Sequence, residues 1–556
     1  MPKFDEEKQK KRFKELREKE AEDLAKILAK KYGIRYLDLS RITIDLDSLK
    51  ILPEAEARAG ELAVFQSVGK KLQVAARNPE LPKTKQILEE LKSKRFEPEL
   101  FLVSEISLEK AFSRYSEVPA FVEVSSGIID ISPERLEKFQ SRISGVGGLR
   151  ELLRQATAER EARKISEILE MILAGALALD ASDVHIEPGE ARTLLRYRLD
   201  GVLQDLIPIP NKVYQLLLSR IKLVSELKLN VKSEAQDGRF TIRTREADME
   251  VRTSSLPGPY GESLVLRVLN PKTIGMTFEN LGIEPGLLDA LASELKKPNG
   301  MILTTGPTGS GKTTTLYAFV KKIQTPGIKI VTIEDPIEYH IQGITQTQVD
   351  SEKGYDFASG LRSILRQDPD VIMVGEIRDL ETAQTAMHSA LTGHLVFSTL
   401  HTNDAAGTIP RLIDLGVKPN IIAPSINVAM AQRLVRKLCA KCAQKEKPSQ
   451  AELKMIETEI ANLPPKTKKP DLKNILVPKP AGCETCNGTG YKGRIGVFEA
   501  FFVNDQIERL ILKDPSGAAI KEAARAQGML TMKQDGILKV LGGVTSLEEL
   551  ERVVGE

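Results

Sequence analysis

Gly306-Pro307-Thr308-Gly309-Ser310-Gly311-Lys312-Thr313 satisfies the spacing G-x-x-x-x-G-K-[ST]. Glycines so spaced let successive backbone N–H groups turn inward around phosphate oxygens. Lys312 supplies a mobile cation for the β- and γ-phosphates, and the Thr313 hydroxyl, followed by Thr314, suits Mg²⁺. The chemistry implied is binding and hydrolysis of ATP with Mg²⁺. The chain's 4 cysteines fall in two pairs, Cys439 with Cys442 and Cys483 with Cys486. Two C-x-x-C knuckles offer four thiolates at tetrahedral Zn²⁺ spacing, and a site closed by four thiolates is structural.

Both groups need elements to hold them. Met301–Thr305 ahead of the glycines reads as a short buried strand, and Thr314–Val320 behind them as a helix. Further apolar runs follow at Lys329–Ile333, Asp370–Val374 and Leu395–Leu400, with helical stretches between. That rhythm predicts a parallel sheet buried on both faces, whose ligands sit beyond the carboxyl ends of the strands. The residues ending the runs are Glu334-Asp335-Pro336-Ile337-Glu338, Gly375-Glu376 and His401. Carboxylates there can hold Mg²⁺ and orient an attacking water, and a histidine can hydrogen-bond the γ-phosphate. Each residue alone reads better as an ordinary helix cap or surface charge. The glycine loop upstream favours a catalytic reading, for Glu376 more than for Glu338.

A chain of 556 residues predicts three or four domains. Its 80 basic and 77 acidic residues nearly cancel, to +3, which argues against a dedicated nucleic-acid binder. No apolar run approaches the roughly 18–20 residues of a membrane span, and the charged start lacks a signal-peptide core. The expectation is a cytoplasmic protein that reaches a membrane only through partners. Residues 1–19 read as a charged helical region within a helix over 5–32, and 20–115 as a small first N-terminal α/β domain. Residues 116–160 read as a linker with flexible joints at Ser125-Ser126-Gly127 and Ser144–Gly148. A second N-terminal domain spans 161–275 and the nucleotide domain 276–556. The zinc-binding insert is 439–486, and its stretch 443–480 reads as a helix over Ser449–Asn462 plus a loose arm pinned by zinc at its base.

Ile333–Tyr339, Leu365–Asp370 with Gly375–Asp379, and Leu391–His394 with Ser398–Asp404 add three ordered segments to the glycine loop. They resemble the Asp box, atypical Walker B segment and His box of the type II secretion and type IV pilus assembly ATPases. Ala181–Pro188 and Gln236-Asp237-Gly238-Arg239 resemble that family's second N-terminal domain. The resemblance implies a RecA-like P-loop ATPase domain, a PAS-like α/β second N-terminal domain, a small first one and a four-cysteine zinc element. It implies a homohexamer that drives pilin-like subunits through an inner-membrane platform protein and an adaptor. The catalytic carboxylate is then Glu376 or an Asp-box glutamate, Glu334 or Glu338. His401 is implied as a catalytic partner, and Arg239 and Arg252 as the arginines that reach the triphosphate, with Arg362, Arg366 and Arg378 as further candidates. Some first domains of the family bind cyclic di-GMP through an Arg-Leu-Gly start. Lys30-Lys31-Tyr32-Gly33 matches that start poorly, so partner docking is the expected use. The competing reading is a nucleic-acid translocase or helicase ring, and a third is a nucleotide-responsive scaffold without turnover.

Overall fold

The computed structural model describes residues 19–39, 42, 44–49, 51–68, 71–93, 96–117, 128–130, 139, 141–143, 145–158, 165–243, 248–269, 275–465 and 467–555. Residues 5–18 of the expected first helix, and the Ser125–Gly127 joint, lie outside them. The chain divides into two compact units at Ser125/Ser126.

In the first unit a helix over 19–32 precedes a four-stranded sheet. Its strands are β1 (Arg35–Tyr36), β2 (Leu62–Val68), β3 (Lys71–Ala76) and β4 (Glu97–Leu102), in the order β1-β4-β3-β2. Leu62, Ala63, Val64 and Phe65 of β2 are all buried, whereas in β3 Leu72 and Val74 are buried on either side of half-buried Gln73. In the opening helix Leu24 and Ile27 are exposed, and the helix packs through Ala25 and Ala29, which lie one turn apart.

The second unit opens with a seven-stranded sheet. The strands are β5 (Ile128–Asp130), β6 (Asp183–Pro188), β7 (Thr193–Leu199), β8 (Val202–Ile209), β9 (Gln236–Arg243), β10 (Asp248–Leu256) and β11 (Ser263–Val268). Their order is β5-β9-β10-β11-β6-β7-β8. All neighbours are antiparallel except β5 on β9. Helices Ile165–Ala178 and Asn211–Val224 cover it. The expected linker therefore contributes structure: β5 extends the sheet, and the expected joint at Ser144–Gly148 runs into a helix over Gly145–Ala158. Leu149 and Leu153 are four residues apart and wholly buried, and that anchoring outweighs the poor helix propensity of three glycines in its first turn.

The nucleotide region is a second seven-stranded sheet. Its strands are β12 (Gly300–Thr305), β13 (Ile330–Glu334), β14 (Thr345–Gln348), β15 (Val371–Val374), β16 (Leu395–Leu400), β17 (Ile426–Leu438) and β20 (Tyr491–Phe502). Their order is β14-β13-β15-β16-β12-β17-β20. All pair in parallel except β17 with β20. Every residue of β12, β13, β15 and β16 is buried, as expected of strands with helices on both faces. The chain order 12, 13, 15, 16 becomes the spatial order 13, 15, 16, 12, so the ends of three distant strands flank the glycine loop.

The arm is not loose. Ser449 and Glu452 form a capping box on helix Gln450–Ala461. Strands β18 (Gln444–Glu446) and β19 (Val477–Lys479) pair antiparallel. Ile456, Ile460, Leu463 and Val477 share a core with Val435, Ile537, Val540 and Leu547. The lysine and proline content hid a short apolar set, these four with Met455, Leu472 and Ile475 beside them, which seats the arm on the C-terminal helices.

Candidate active site

Gly306 and Gly311 have φ of 149° and 87°. A Cβ on Gly306 would stand 2.5 Å from the Gln432 carbonyl oxygen, and one on Gly311 would stand 2.9 Å from Gln432 Nε2. Neither conformation nor space admits a side chain. Helix Lys312–Ile323 starts at Gly311 and turns its positive end toward the loop. Lys312 Nζ donates to the carbonyl oxygens of Gly306 (2.8 Å) and Pro307 (3.1 Å). Burial depresses the Lys312 ammonium, Glu376 opposes this, and Arg433 adds to it. The Ser310 hydroxyl oxygen is buried with no hydrogen-bond partner among the described residues. A looped backbone, a cation and an orphaned hydroxyl form a donor set that fits a phosphate chain.

Three of the predicted residues meet beside this loop. Glu376, just beyond β15, lies 3.2 Å by Oε2 from His401 Nε2, just beyond β16. Its other oxygen pairs with Arg378, which also reaches Asp335 at 3.9 Å. The end of β12 is stitched to the same place. Thr305 Oγ1 accepts from the Thr402 N–H at 2.8 Å and lies 2.7 Å from Thr402 Oγ1. Glu376 keeps 15% side-chain exposure and His401 49%, so both are open to a ligand from the loop side.

Glu334 sits at the same sheet edge in the opposite situation. It is 2% exposed and receives hydrogen bonds from Tyr317, from Thr332 Oγ1 (2.6 Å) and from Gln346 Nε2 (3.1 Å). Burial, then Glu334 itself, pushes the Tyr317 phenol up, so it remains a donor. With both oxygens engaged, Glu334 joins the nucleotide helix to β13 and β14 and presents no face to a ligand. Glu338 is joined to the second domain instead. Arg252 on β10 donates to Glu338 Oε2 (3.0 Å) and to the Ile337 carbonyl oxygen (2.6 Å). Arg239, opposite Arg252 in the β9–β10 register, is exposed with no ion-pair partner among the described residues. Arg362 pairs with Glu381, and Arg366 bonds the Arg362 carbonyl oxygen and Ser363.

Sequence reasoning missed Gln432 and Arg433. They follow the stretch of β17 that pairs with β12, and Thr315 Oγ1 donates to Gln432 Oε1 at 2.8 Å. The available signal was two adjacent polar residues inside the otherwise buried run Val428–Ala431 and Val435.

The four cysteines converge. Their sulfurs all lie within 4.8 Å of one another, with Cys439–Cys483 at 3.8 Å and Cys442–Cys486 at 3.7 Å. A disulfide requires about 2.05 Å, whereas tetrahedral zinc with Zn–S of about 2.3 Å places sulfurs about 3.8 Å apart. A backbone hydrogen bond from Cys486 pulls the Cys483 thiol down to about 6, and burial pushes Cys442 up to about 12. Deprotonating all four sulfurs at this spacing needs a cation between them, and the set fits Zn²⁺. Beside it, the Asn487 side chain accepts from the Val146 N–H (3.2 Å), at the start of helix Gly145–Ala158. Asp200 Oδ2 accepts from the Gly493 N–H (3.0 Å).

A buried parallel sheet with a glycine loop at its carboxyl edge, and an acidic residue and a histidine on the neighbouring strand ends, defines a P-loop ATPase. A family profile described as "Type II/IV secretion system protein" matches residues 158–552. The chain belongs to that family and is an ATP-hydrolysing enzyme. It is 41% identical over 389 residues to a type II secretion system protein, HxcR, of Pseudomonas aeruginosa, covering 70% of this chain and 77% of that one. It is 34% identical over 534 residues to the type IV pilus assembly ATPase PilB of Myxococcus xanthus, covering 96% and 91%. The Legionella pneumophila ATPase DotB shares the fold, with TM-score 0.50 and 22% identity over 69% of this chain and 95% of that one. No helix among the described residues is long and apolar enough to cross a membrane.

Proposed function

We propose that this chain is a cytoplasmic motor whose Mg²⁺-dependent ATP hydrolysis drives assembly of pilin-like subunits, in a type IV pilus or a type II secretion pseudopilus. It works as a homohexamer at the inner membrane, through a platform protein and an adaptor. The observation that carries this reading is the tie from Arg252 of the second domain to Glu338 and Ile337 of the segment following β13. A movement of the second domain pulls on the backbone next to the nucleotide edge, and a change at that edge pulls on the second domain. Reciprocal coupling of that kind is what turns a hydrolysis cycle into displacement.

In this reading Glu376 orients the attacking water, His401 carries the hydrogen bond that distinguishes ATP from ADP, and Thr313 with nearby carboxylates holds Mg²⁺. Arg239, exposed beside Arg252, is the residue free to reach a triphosphate when second domains close on a neighbouring copy. The cysteine cluster holds Zn²⁺ as a structural ion.

The test is turnover by the purified full chain with its mass in solution measured alongside. The expected result is a sixfold mass in the presence of Mg²⁺ and a non-hydrolysable ATP analogue, and turnover stimulated by membranes containing the platform protein. A chain that stays monomeric and is stimulated by DNA or RNA, but not by those membranes, is a translocase instead.

A further inference from the structure

β17 pairs in parallel with β12 as far as Thr305 opposite Ala431. Gln432 and Arg433 therefore continue the strand past the point where the glycine loop leaves the sheet. The loop packs on Gln432, whose carbonyl oxygen and amide occupy the space that side chains on Gly306 and Gly311 would need. Two polar residues in a buried strand cost free energy unless their groups are met. Gln432 is met by Thr315. Arg433 is met on one side only. Its Nη2 donates to Asn403, to the carbonyl oxygen at 3.3 Å and to Oδ1 at 3.5 Å. Its Nη1 is buried and has no hydrogen-bond partner among the described residues. A guanidinium stays charged, so an unmet buried N–H on it is costlier than a neutral one. Two carboxylates offset its charge in part: Asp404, next to Asn403 in the chain, and Glu499, which accepts from the Ala405 N–H at 2.8 Å. Arg433 is also close enough to Lys312 to depress its ammonium. Two cations that feel each other's charge beside a phosphate loop favour an anion in that loop.

We propose that Arg433 is a further phosphate-binding residue of the ATPase site. Its Nη1 donates to a β-phosphate oxygen of the bound nucleotide while its Nη2 holds Asn403. One side chain then clamps the segment His401–Asp404 to the phosphates, from the side of the loop opposite Glu376. This rests on ATP hydrolysis by the chain and not on the ring or its partners.

The experiment measures equilibrium affinities of the full chain for fluorescent AMP, ADP and a non-hydrolysable ATP analogue, with Mg²⁺, in the wild type and in Arg433→Gln and Arg433→Lys. A charge-assisted hydrogen bond corresponds to about 10- to 100-fold in affinity. The expected result is a loss of about that size for ADP and the ATP analogue in Arg433→Gln, with AMP changed by less than about threefold and partial recovery in Arg433→Lys. Equal losses for all three nucleotides, or affinities within twofold of wild type for all three, overturn the assignment. If Arg433→Gln does not fold, Arg433→Lys decides: selective weakening of ADP and the ATP analogue upholds the assignment, and wild-type affinities overturn it. Wild-type binding in the same titrations separates an idle Arg433 from a chain that binds no nucleotide.

Discussion

Strands β13 and β15 are neighbours, and a glutamate stands at the carboxyl end of each, but the two acids live in different worlds. Glu334 is the last residue of its strand, buried, with three side-chain donors on its two oxygens. Glu376 stands one residue further out, beyond Gly375, and shares its carboxylate with exposed Arg378 and exposed His401. One extra glycine carries the second acid past the sheet and into reach of a ligand. A saturated buried carboxylate is a brace, whereas a carboxylate held by groups that solvent and ligand can also reach is available for chemistry.

Several substitutions break or sharpen that contrast. The largest effect belongs to the cation of the glycine loop: Lys312→Ala removes the phosphate charge partner, and turnover falls to below about 1% of wild type. Residual turnover above a tenth would remove the glycine loop from the chemistry and dissolve the contrast. Next comes the pair itself. Glu376→Gln lowers kcat by about 10²- to 10⁴-fold, with ADP affinity within about threefold of wild type. Glu334→Gln leaves kcat within about tenfold and lowers unfolding free energy by about 1–3 kcal/mol, because the amide's NH₂ faces donors. Steady-state rates and denaturant midpoints on both variants decide it, and the reverse assignment of effects would sink the reading. The smallest effect extends the contrast to a third acid.

Glu549 is wholly buried, and Arg436 bonds it through Nε (2.9 Å) and Nη2 (2.7 Å). Burial pushes its carboxyl up, but the hydrogen bonds from Arg552 and Arg436 prevail and the net direction is down. A depressed carboxylate stabilises the fold fully above the ordinary glutamate value of about 4.3 and loses that contribution as pH falls below it. In Glu549→Gln the stability at neutral pH drops by about 1–3 kcal/mol, and the acid limb of a stability–pH curve flattens. An acid limb as steep as wild type would show that other carboxylates set it.

Much of this site was legible because its signals are local. A glycine loop between a buried strand and a helix, acids at the ends of apolar runs, and two C-x-x-C pairs each fit within a few residues. What escaped depends on distant partners. The seal on Glu334 comes from Tyr317 on another element and Gln346 on another strand, and neither spacing predicts the other. Arg433 is adjacent to the loop only because β17 lies beside β12 in the sheet, across more than a hundred residues of chain. The helix Gly145–Ala158 was hidden by glycines whose cost is met by Leu149 and Leu153 packing, and the arm by lysines that outnumber its few apolar contacts. The second-domain strands β8 and β10 carry polar outer faces, and only pairing with their neighbours reveals them.

The hydrogen bond from Val146 to Asn487 joins positions 341 residues apart. At about 5–20 residues per second on the ribosome, the beginning of the Gly145–Ala158 helix is exposed roughly 17–70 s before its capping side chain is synthesised. During translation that helix must rely on its other anchors, Leu149 and Leu153 among them, and the bond to its first turn forms only after the last cysteine of the cluster has emerged.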